Sequence, residues 1–436
     1  MKNETTQLDT NSTNPDAKQK INSERKNSIN YWIKFEKNEI FLLLSFFFFG
    51  IAFANYDPYA PIWLRQIFQE DSFLIIGLVV IIPSLMVAIG TSIWGVLADK
   101  FGTKKFVVFG FSIYLLMFLC LIFTSSSTYF LVIVLIGNLF GSAQASNFYA
   151  LTTKSVNKPK SVVLAKITAT VSLSYFIMSP VVGRIYDSFS NAMTVQLIIA
   201  IVSCSIAIVL IFMVKEKRNT QEEIISKSVD EKRSPIFLFA FLFIALMIVV
   251  FTFQSTVGFW AYTSIFFLDT LEIKGLYYSF VIIAKTALAI PLAILLGNIR
   301  KTKKISGLII LFTGWSIIVY LVMMLFPTNW ILVLLIYSIP MYPLYSVSFY
   351  SLVTKFSSSK RRATAFGIFS AIGTTGYVTG ILILGAFADS SSQGIFIMLK
   401  ISLIFASVAC FLAIVFFFFV RSKKESIRAI EMNLSE

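Results

Sequence analysis

The 436-residue sequence contains no histidine, only three cysteines and few charges. Without histidine, the commonest proton relay and metal ligand is missing. Cys120, Cys204 and Cys410 all fall inside apolar blocks, and none sits at metal-ligand spacing. They read as small core residues and not as disulfide partners. No Gly-x-x-x-x-Gly-Lys-Ser/Thr phosphate loop is present, which argues against ATP hydrolysis by this chain. No clustered acids or cysteine pair offers a catalytic set, so an enzyme is not expected, and neither a metal nor a cofactor is implied. Charged residues make up 14% of the chain and hydrophobic ones 57%. Soluble domains run at roughly 25% and 45–50%, so an ordinary soluble fold is excluded.

The apolar residues, including 45 phenylalanines, are spread along nearly the whole chain in blocks of about twenty. Each block is long enough to cross a hydrocarbon core of about 30 Å as a helix. A backbone in lipid must satisfy its own hydrogen bonds, which makes helices the default. The short alternating segments of a β-barrel are not seen. The expected spans are 39–64, 73–97, 105–124, 129–152, 162–184, 192–214, 235–267, 276–297, 305–325, 329–353, 363–387 and 395–420. This is an all-α membrane protein with twelve transmembrane helices. Residues 1–38 are polar and read as a disordered tail without a cleavable signal peptide, and 421–436 as a second tail. Residues 39–214 and 235–420 form two six-helix bundles, joined by the mixed-charge linker 215–234.

Charge placement orients the spans. With the N-terminus cytoplasmic, 32 of the 37 Lys and Arg fall on the inside, all but Arg65, Arg184, Lys274, Lys285 and Lys400. The positive-inside rule predicts this asymmetry, with both termini cytoplasmic. The net charge of +15 therefore reports topology and contact with anionic lipids. It is too dispersed for nucleic-acid binding. The absent signal and the Lys/Ile/Phe-rich usage suggest a prokaryotic plasma membrane, and nothing in the pattern calls for more than a monomer.

The two halves repeat. At an offset of 202 residues Gly95 falls on Gly297, Gly183 on Gly385, and Asp187 on Asp389. Parallel halves related by an axis along the membrane normal are found in one class of transporters.

After span 2 the chain reads Gly95-Val-Leu-Ala-Asp99-Lys100-Phe-Gly102-Thr-Lys104-Lys105. The two glycines permit close approach and a tight turn. Asp99 could pair with a basic group or with the N-terminus of a neighbouring helix. Lys104 and Lys105 are expected to face anionic headgroups. The run resembles the signature of the major facilitator superfamily, Gly-x-Leu-Ala-Asp-Arg-x-Gly-Arg-Lys between helices 2 and 3, with Lys100 and Thr103 departing from it. The resemblance implies a fold of two pseudo-symmetric six-helix bundles and transport by alternating access. It also implies that contacts of this loop (Gly95, Asp99, Lys100, Gly102, Lys104, Lys105) latch the halves in the outward-open state. Two marks of drug antiporters in the family are weak here. Gly137 stands where span 4 would carry an Arg, and span 5 keeps only Pro180 and Gly183 of its Gly-Pro-x-x-Gly-Gly element.

Ionisable groups inside a membrane are functional candidates by default. Lys285 lies about 18 Å along a helix from Gly297, near mid-bilayer. It could bind an anionic substrate group or pair with an acid. Asp57, beside Pro58 in span 1, is the acidic candidate. In partly apolar surroundings it could carry a proton; at an outer interface it would simply be hydrated. Asp187, Asp269, Glu272 and Asp389 sit at outer ends, where solvation is the default. Polar and aromatic groups of spans 4, 7 and 10 complete the candidate lining: Gln144 and Asn147, Gln254 and Trp260, Tyr342 and Tyr345. The competing role for each is helix–helix hydrogen bonding. The expected function is a proton-coupled secondary transporter of a small organic solute, an organic anion or carboxylate-bearing metabolite being favoured. A drug/proton antiporter is the alternative, and a transporter-like sensor or lipid flippase a more distant one.

Overall fold

The computed structural model describes residues 34–156, 160–215, 235–255, 262–297, 302–339, 348, 362–392 and 394–422. Helical segments occupy all twelve expected spans, and no strand occurs among the described residues. Eight helices of the described residues are long and apolar enough to cross a bilayer alone, and Phe243–Phe253 and Gly275–Lys285 are shorter apolar helices. Apolar residues surround most spans on every side, as expected of helices bounded by lipid as well as by neighbours. Leu116, Val209 and Phe411 point outward, whereas Phe46, Phe49, Phe111, Phe118 and Phe148 are buried. The phenylalanines form a packed aromatic core in the first half, with ring centroids 4.2 Å apart for Phe46 and Phe148 and 4.5 Å for Phe49 and Phe111. All three cysteines are free thiols, and Cys204 is buried against the Phe111 carbonyl.

Packing repeats between the halves. Span 1 (Lys37–Tyr56 and Ala60–Gln66) packs on span 5 (Lys160–Ser188) and span 6 (Ala192–Met213). Span 7 (Pro235–Ser255) likewise packs on span 11 (Arg362–Asp389) and span 12 (Ile395–Ser422). Span 3 (Thr103–Ile122) rests on span 6, and span 9 (Thr302–Leu325) on span 12. The halves meet where span 5 lies on span 8 (Gly275–Gly297) and span 2 (Phe73–Phe101) on span 11. The ends of the molecule are named here by the linker: the linker side carries residues 98–105 and 215, and the distal side carries the turns after spans 1, 3, 5, 7, 9 and 11.

Several spans are interrupted where the sequence supplies a reason. Span 1 breaks at Asp57, Pro58 and Tyr59, since a proline cannot donate to the carbonyl a turn earlier and its ring crowds that carbonyl. Span 4 runs Ser127–Gly141, tightens to a 3₁₀ turn over Ser142–Gln144 and resumes at Ala145–Ser155. The distal end of span 7 is a π-helical turn, Ile265–Thr270. Such irregular turns are common where a helix serves a functional site. On the linker side a buried ion pair fixes span 1 to span 5. Lys166 Nζ lies 2.8 Å from Glu39 Oε1, with side chains 5% and 1% exposed. Glu39 Oε2 also accepts the Glu36 N–H at 3.1 Å, closing the first turn of span 1.

Candidate functional site

Lys285 stands about 15 Å along span 8 from Gly275, taking roughly 1.5 Å per residue. Its Nζ lies 3.2 Å above the centroid of the Tyr337 ring, the last residue of helix Trp330–Tyr337 in span 10. The ring face carries the negative end of the aromatic quadrupole, which holds an ammonium by roughly 0.5–2 kcal/mol. The Tyr337 hydroxyl is engaged in turn with Thr263 Oγ1 of span 7 at 3.0 Å. Spans 7, 8 and 10 thus position one cation. Thr263, a contributor not among the sequence candidates, shares no motif with Lys285 and carries no signal in the chain by itself.

Asp57 sits at the break in span 1, about 14 Å below Gln66 at roughly 1.5 Å per residue, close to the level of Lys285. It is exposed at that depth. Its Oδ2 accepts the Tyr175 hydroxyl of span 5 at 2.9 Å. Among the described residues it forms no ion pair. Four buried aromatics lead from span 1 to the cation: Tyr59 to Tyr278 at 6.0 Å, Tyr278 to Phe267 at 5.9 Å, and Phe267 to Tyr337 at 5.2 Å.

The other candidates divide. Asn147 is buried, and its amide donates to Ala143 O at 2.8 Å and Trp94 O at 3.5 Å, tying span 4 to span 2. Gln144 is also buried, with its Oε1 lacking a hydrogen-bond partner and its backbone pressed against Gly110 of span 3. Trp260, Tyr342 and Tyr345 lie outside the described residues, as do the side chains of Gln254 and Asp99.

The loop between spans 2 and 3 is a single residue, Gly102, at φ +99°. That backbone conformation favours glycine and explains its place in the motif. Lys100 and Lys105 are exposed. Lys104 differs from expectation: instead of facing headgroups, its Nζ donates to Phe212 O at 2.9 Å and Val214 O at 2.7 Å. The C-terminal carbonyls of span 6 have no intrahelical partner, and a cation there satisfies them and complements the helix dipole. A side chain added at Gly95 would meet nothing within 4 Å among the described residues.

The distal side is closed. Asp187, Asp389 and Asp269, for which solvation was the default, all bind across the halves. Asp187 accepts the N–H groups of Gly275 and Leu276, and Asp389 those of Phe73 and Leu74. Asp269 Oδ2 lies 3.6 Å from Arg65 Nε. Each of the first two is offered orphan amides at the start of a helix from the other half, which solvent alone would otherwise satisfy. Their signal in the sequence is the 202-residue offset, which relates the two aspartates to each other.

The Major Facilitator Superfamily profile matches residues 42–363. The fold is similar to that of the nucleoside transporter NupG, at 16% identity and a TM-score of 0.64, covering 87% of this chain and 98% of that one. It is similar to the POT family transporter PepTSo, at 13% identity and a TM-score of 0.68, covering 90% and 99%. It is also similar to the human organic anion transporter MFSD10 (TETRAN), at 13% identity and a TM-score of 0.57, covering 87% and 100%. No curated protein matches the chain by sequence.

Proposed function

The chain belongs to the major facilitator superfamily, and from that premise we propose that it is a secondary active transporter moving an organic anion by alternating access. Lys285 anchors the anion and Asp57 carries the coupling proton. The observation that supports this most is the mid-span ammonium of Lys285, positioned by Tyr337 and Thr263 from two further helices. A charge in the middle of a span costs about 2.5–3.5 kcal/mol or more, and a favourable contact with a substrate carboxylate offsets that cost. Closure on the distal side supports reading the state as one open toward the linker. The Lys/Arg asymmetry supports assigning the linker side to the cytoplasm of a plasma membrane.

The test is a thermal-shift screen of the purified protein against carboxylates, sugars, amino acids and lipophilic cations, followed by flux in proteoliposomes. A carboxylate hit should weaken roughly 10- to 150-fold in Lys285→Ala, the equivalent of a charged hydrogen bond of about 1.5–3 kcal/mol. Normal transport by both Lys285→Ala and Lys285→Met would end the assignment. In Asp57→Asn, accumulation driven by a pH gradient should disappear while substrate exchange persists; intact gradient-driven transport would remove the coupling role. A second reading rests on Asp57 itself, an exposed carboxylate bonded to the Tyr175 hydroxyl, which suits a lipophilic cation. Cation hits abolished by Asp57→Asn and kept in Lys285→Ala would favour export of such compounds.

A further inference from the structure

The contacts that close the distal side are duplicated with the same offset as the sequence repeat. Asp187, in the last turn of span 5, accepts the Gly275 N–H on Oδ1 at 2.7 Å and the Leu276 N–H on Oδ2 at 3.0 Å. Asp389, in the last turn of span 11, accepts the Phe73 N–H on Oδ1 at 2.6 Å, and on Oδ2 the Leu74 N–H at 3.3 Å and the Ser72 hydroxyl at 2.6 Å. Donors and acceptors are related position by position: 187 to 389, 73 to 275 and 74 to 276 are each 202 residues apart. In each copy a carboxylate from one half covers the first amides of a helix in the other. Charge-assisted bonds to orphan amides at the positive end of a helix dipole are favourable for both partners.

The surroundings are duplicated as well. One turn before each aspartate stands a glycine, Gly183 or Gly385. The backbone of span 8 or span 2 approaches it so closely that a Cβ would lie 2.5 Å from Gly275 O in the first case and 2.9 Å from Leu74 Cα in the second. Each contact also carries a buried tyrosine from the distal region of span 1 or span 7. Tyr59 lies 5.4 Å from Tyr186 and 6.0 Å from Tyr278. Tyr262 donates its hydroxyl to Phe73 O at 2.9 Å.

We propose that Asp187 and Asp389 are a matched pair of latches that hold the distal gate shut by capping, from one half, the first turn of the helix across from it. Opening to the distal side breaks both caps together, because the halves move as bodies and each half holds one aspartate and one capped helix. The motif at Gly95–Lys105 has no part in this closure, since it lies at the other end of span 2. The latch rests on alternating access and is independent of what is carried.

The experiment places spin labels on the full-length transporter at Thr128→Cys and Thr328→Cys, exposed positions on the distal turns of the two halves, in a background free of native cysteine. Distances are read by pulsed EPR without substrate. Removing one cap with Asp187→Ala or Asp389→Ala should raise the long-distance, open population about fivefold relative to the closed one. The double variant should raise it about thirtyfold, since the two caps are separate. Asn at both positions retains an acceptor and should keep most of the closure. Alanine variants with the parent distance distribution overturn the latch, and so does an Asn pair as open as the Ala pair. If the double alanine variant does not fold, the two single variants decide by the same criterion. Because no substrate is present, failure of the anion reading would leave this result unchanged.

Discussion

A methyl group at Gly183 should open the distal gate. In the closed state the Cβ of Gly183→Ala would sit 2.5 Å from the Gly275 carbonyl oxygen and 2.8 Å from its carbon, where ordinary contact begins near 3.4 Å. The obstacle is backbone, so no side-chain rotation relieves it, and spans 5 and 8 must separate by several tenths of an ångström to about 1 Å. Overpacking of this kind costs about 1–3 kcal/mol. The strain exists only while the two helices touch, so it penalises the closed state alone. The open-to-closed ratio should therefore rise roughly 5- to 150-fold. Gly385→Ala should act in the same direction through Leu74 Cα, 2.9 Å from its Cβ. Gly95→Ala is the control: its Cβ meets nothing within 4 Å among the described residues, so the distal gate should not open. The label pair at Thr128 and Thr328 reads all three. A Gly183→Ala distribution identical to that of the parent, or an equal shift in Gly95→Ala, would show that these helix contacts do not set the closed state.

Two further predictions concern stability. Glu39→Gln leaves the Lys166 ammonium buried without its carboxylate, and thermal unfolding in detergent should report a loss of about 3–5 kcal/mol. Replacing both, as Glu39→Leu with Lys166→Met, should recover most of it; a double variant no better than the single would contradict this account. Lys104→Met frees the carbonyls of Phe212 and Val214 and should lower stability by about 1–3 kcal/mol, with Lys104→Arg close to the parent. A headgroup-facing lysine would instead show no loss in detergent.

Much of the architecture is legible in the chain because bilayer thickness and backbone hydrogen bonding act on local sequence. Twenty apolar residues form a spanning helix whatever lies beside them, and Pro58 interrupts span 1 wherever that span packs. Gly102 could be assigned to a tight turn, and its φ of +99° is that turn. The partners of polar groups are a different matter. Lys104 reads as one more basic residue of an inside loop, and only the packing of span 6 beside it reveals the two carbonyls it covers. Asn147 reads equally as cavity lining and as helix glue in the chain, and only the packing of span 2 beside it supplies the Trp94 carbonyl its amide reaches. Thr263 becomes part of the Lys285 environment only through the Tyr337 hydroxyl.

The sequence by itself determined the helical, membrane-spanning class, the two related halves and the family loop after span 2. It also determined that Asp187 and Asp389 occupy equivalent places, because an internal repeat is a property of the order of residues. Only the tertiary structure decided what those aspartates do. A helix N-terminus offers unpaired amides to whatever carboxylate is nearest, and which one is nearest depends on how the two bundles lean together. That tilt, set by the summed packing of spans 2, 5, 8 and 11, turns two ordinary helix-end acids into caps across the gate.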